Sequence, residues 1–90
     1  MKDTTLIHGD YVLATKYRDG MSEDAWGVGF YDKEENGRHY VNDASGLSIR
    51  SSGFKRCEKI QPRTGAYIFQ NQDQMYSVKL WELVKELERK

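Results

Sequence analysis

Ninety residues with fourteen basic and fourteen acidic side chains leave room for one domain with one core, and give the chain no net field toward nucleic acid or membrane. A composition that is 38% hydrophobic and 31% charged, with two Trp, six Tyr and three Phe, excludes a disordered chain. The only cysteine, Cys57, excludes an intrachain disulfide and a cysteine-rich zinc site, and fits a reducing compartment.

In chain order, the first element is Asp10 to Tyr17, DYVLATKY, which alternates with Tyr11, Leu13, Thr15 and Tyr17 on one face and Val12, Ala14 and Lys16 on the other, as a strand does. Asp19-Gly20 marks a turn. DAWGVGFYDKEE then meets RHYVND across Asn36-Gly37, the pair favoured in two-residue type I′ hairpins. Counting outward from that turn places residue 32 opposite 41 and 30 opposite 43. Trp26, Val28, Phe30 and Val41 then share one face, with Gly27, Gly29 and Tyr31 on the other, where two glycines let the strand bend sharply or another backbone approach closely.

Leu47 and Ile49 predict a short strand, Ser51-Ser52-Gly53 a turn, and FKRCEKI a further strand interrupted by a bulge or helical turn. Pro62 predicts a loop, and Ala66 to Phe69 a last strand. From Asp73 or Ser77 to Lys90 a helix is expected, on which Tyr76, Leu80, Trp81, Leu83, Val84 and Leu87 fall in an arc of about 160°. That stripe packs on the barrel or meets another molecule, most simply a second copy, through Leu80, Trp81, Val84 and Leu87. The pattern predicts a mainly β protein: one domain over 1–90, with a small SH3-like barrel of five or six antiparallel strands in 1–70 and a C-terminal α-helix in 71–90, an OB-type barrel being the competitor.

Charge is unevenly placed. Residues 1–45 hold five basic and nine acidic groups, whereas residues 46–72 hold Arg50, Lys55, Arg56, Lys59 and Arg63 against Glu58 alone. With Phe54 and Tyr67 nearby, these five cations are a candidate nucleic-acid patch, neutralising phosphates while rings stack bases; otherwise they form a solvated face balanced by the acidic half.

No catalytic pattern emerges. His8, His39 and Cys57 lack the spacing of a metal site, nothing marks Cys57 as an activated nucleophile, and Glu34-Glu35 sits at a hairpin tip. Gly27 and Gly29 lie inside a strand, not in a phosphate-binding loop. No enzyme, cofactor or metal is expected.

Gly9-Asp10-Tyr11-Val12-Leu13-Ala14, then Asp19-Gly20, then Trp26 and the hairpin resemble the opening of Tudor and Agenet-type barrels, over about half the chain. The resemblance implies an aromatic cage for methylated lysine or arginine, with Trp26 in the place of the tryptophan that begins the second strand and Tyr17 as a second wall. Where that family carries a further aromatic after its third strand, this chain has Asp43-Ala44-Ser45-Gly46. Trp26 is otherwise a core anchor.

The sequence therefore points to a non-catalytic binding module or small adaptor whose partner is another protein, with nucleic acid as the alternative, as a monomer or homodimer. The opening MKDTTLIHGD carries no long apolar run, and no stretch approaches the roughly 18 apolar residues of a span, so a cytoplasmic protein without membrane contact is expected.

Overall fold

A computed structural model describes residues 5–16, 26–71 and 80–89. The protein is mainly β, with five strands followed by two short helices: β1 (Tyr11–Thr15), β2 (Trp26–Glu35), β3 (Arg38–Asn42), β4 (Ser48–Phe54), β5 (Arg56–Lys59), α1 (Pro62–Gln70) and α2 (Leu80–Leu87). The strands pair antiparallel in one unclosed sheet of order β4-β3-β2-β1-β5. No helix of the described residues is long and apolar enough to cross a membrane.

The hairpin forms at the expected place. Asn36 and Gly37 take φ of 55° and 78°, which a type I′ turn requires, and Glu35 pairs with Arg38. The register expected farther along does not hold. Asp32 is an extra residue between the Tyr31–Val41 and Lys33–Tyr40 pairs, so Val41 shares a face with Tyr31 and not with Trp26 and Val28. A bulge reverses the parity of every residue beyond it, and the chain holds no local signal for one there.

Two cores result, one on each side of the sheet. Val12, Ala14, Tyr31, Val41 and Phe54 fill the concave side with Leu6, Ile49 and Cys57. Leu13, Tyr11, Trp26 and Val28 meet Ile60, Ile68, Leu80, Trp81, Leu83 and Val84 on the helix side. The alternation read in β1 is therefore correct, yet both of its faces are buried: Val12, Leu13 and Ala14 are fully inaccessible.

Gly27 and Gly29 let β4 fold over β2. A Cβ on Gly27 would lie 3.0 Å from Ile49 Cγ2 and 3.3 Å from Phe54 Cζ, and one on Gly29 would strike the Asn42 carbonyl oxygen. The expected turn at Ser51 to Gly53 lies inside β4. There the register slips between the His39–Phe54 and Val41–Ile49 pairs, with Arg50 and Gly53 at φ of 52° and 79°. The break expected near Phe54 to Ile60 is a bend at Lys55, whose N–H donates to the Lys16 carbonyl at 2.8 Å.

The strand expected at Ala66 to Phe69 and the loop expected after Pro62 are both replaced by α1. Pro62 occupies the first turn, where its missing N–H costs nothing, and holds Gln61 extended at φ −75°, ψ 144°. Four apolar residues cannot distinguish a strand from a short helix; here contact decides, because Thr64, Gly65 and Ile68 make a buried face and Gly65 lies against the Tyr11 ring. Of the expected C-terminal helix, Leu80–Leu87 is α2, while Asp73, Tyr76 and Ser77 lie outside the described residues.

Gly29→Ala is expected to lower stability by about 1–3 kcal/mol through overpacking against β3 and β4. A drop in the thermal midpoint of roughly 4–8 °C per kcal/mol would register it.

Candidate functional site

The corner where β1 ends and β5 begins is built by three long-range contacts. Thr15 closes β1 with its hydroxyl accepting from Trp81 Nε1–H at 3.2 Å. Pairing puts Arg56 opposite Thr15, and the Arg56 guanidinium sits 4.3 Å from the centroid of the Trp81 ring. Glu58, two residues on and on the same face, approaches Arg56 Nη2 at 3.5 Å. Lys16, at φ 60° and exposed, is joined to Lys55 by backbone. Lys85 lies one helical turn beyond Trp81. At the far end of α2, Glu88 Oε2 accepts the Gln61 N–H at 2.7 Å, which brings negative charge to the start of α1, whose own first turn has none. Trp81 and Glu88 thus hold α2 alongside β5.

A second surface is apolar. Tyr11 meets Phe30 edge-on with centroids 5.4 Å apart, and its ring also passes against Gly65 of α1. Burial raises the Tyr11 hydroxyl above its ordinary value. Phe69, one turn past Gly65, is 64% exposed and Phe30 39%, whereas Tyr67, 43% exposed, is two residues from both Gly65 and Phe69 and so stands on the opposite side of α1. Arg63 is the only charged residue in α1.

The polar groups of the concave side favour neutral forms. Tyr31 hydrogen-bonds through its hydroxyl to His39 Nδ1 at 2.9 Å, and burial, with Cys57 and Glu34 nearby, raises it above the ordinary tyrosine value. Burial, then the neighbouring Glu58, pushes the Cys57 thiol up to about 12. A thiol at that value holds its proton at neutral pH and is a poor nucleophile. Elsewhere, the Asp43 turn is tied by its own carboxylate: Oδ1 accepts from Ser45 Oγ at 2.6 Å, Ser45 N at 2.9 Å and Leu47 N at 3.0 Å, which holds the carboxyl below its usual range. No group of three or more His, Cys, Asp or Glu among the described residues could hold a metal ion.

The five cations singled out from sequence are only partly together. Lys55 and Arg56 sit at the corner, whereas Lys59 pairs with Asp10 at 3.6 Å on the other face, Arg63 is on α1, and Arg50 is on the opposite edge strand. Leu80, Trp81 and Val84 turn onto the sheet, with Leu87 half-buried. Trp26 is half-buried in the same cluster, and Tyr17 lies outside the described residues.

Comparison with protein-family models, with curated proteins and with solved structures finds no match to this chain.

Two outcomes follow from these contacts. Trp81→Phe removes the donor to Thr15 and weakens the ring contact to Arg56, for an expected loss of about 1–2 kcal/mol in urea unfolding. Arg56→Gln should then cost less in that background than alone. Cys57 makes stability fall on the alkaline side: between about pH 9 and 12 the unfolded chain loses the thiol proton that the folded chain keeps. Cys57→Ala should flatten that limb of the pH profile relative to the parent.

Proposed function

We propose that the protein is a non-catalytic protein-interaction module built on a small SH3-like barrel of Tudor type. The barrel reading is supported by β5 lying next to β1 at one side of the order, and by β4 folding over the glycines of β2. The observation that carries the functional reading is α1, a nine-residue helix with one charged residue that leaves Phe69 exposed on the side that meets Tyr11, itself against Phe30. Aromatic rings at a surface carry large contact area with little side-chain entropy, and concentrate where proteins meet. Acid–base or nucleophilic work finds no support in a thiol held neutral and a tyrosine held above its ordinary range. Trp26 shares its ring with the cluster beneath the helices, so the proposal places binding on α1 and Phe30, without an aromatic cage.

Affinity capture with the parent chain and with Phe69→Asp and Tyr67→Asp tests this. A protein retained by the parent and lost by Phe69→Asp, at unchanged thermal midpoint, is the expected result. A set of captured proteins that is identical for all three chains would overturn it.

A further inference from the structure

We draw no further inference here: the strongest candidate, the outer edge of β5 at one end of the sheet order, carries none, because nothing among the described residues shows what covers it.

Discussion

The burial of β1 on both faces is the constraint on which the rest depends. An antiparallel strand commonly gives one face to a core and one to water. Here Val12 and Ala14 enter the concave core while Leu13 enters the other, and all three are inaccessible. A sheet that carries apolar residues on both sides of its middle cannot stand alone, because Leu13, Tyr11, Trp26 and Val28 would face water. The two helices are therefore part of the core. Neither is long enough to be stable by itself, so helix and sheet form together.

That dependence explains the contacts at the rim. α2 is anchored at its start by Trp81 to Thr15 and Arg56 and at its end by Glu88 to Gln61, and it thereby runs beside the edge strand β5. The other edge, β4, carries a multi-residue irregularity with two positive φ values. An edge disrupted in this way resists unwanted pairing with other chains. The same arrangement places Arg56 over a fixed indole on the α2–β5 side, and Phe30 and Gly65 against Tyr11 on the α1 side.

How much of this was legible in the sequence follows the range of each interaction. The Asn36-Gly37 turn, the alternation in β1 and the close approach allowed at Gly27 and Gly29 are written in neighbouring residues, and all three appear in the structure. The bulge at Asp32 and the helix at Pro62–Gln70 are not, since the first is set by how β2 meets β3 and the second by Gly65 docking on Tyr11, 54 positions earlier. Gly65 in mid-helix even opposes the local preference. For the site, the run of basic residues was visible, but the partners that sort it were not: Asp10 takes Lys59, and Trp81 takes Arg56, each across a long sequence separation. Charge counts along a chain cannot see which cation a distant residue occupies.

Native-state hydrogen exchange reports most directly on whether the helices and β1 are one cooperative unit. The amides of Val12 to Thr15 and those around Val84 are expected to exchange only through global unfolding, with the same opening free energy and the same response to denaturant. Rapid exchange at Val84 while β1 stays protected would make α2 an appendage, and would contradict a fold whose central strand needs cover on both faces.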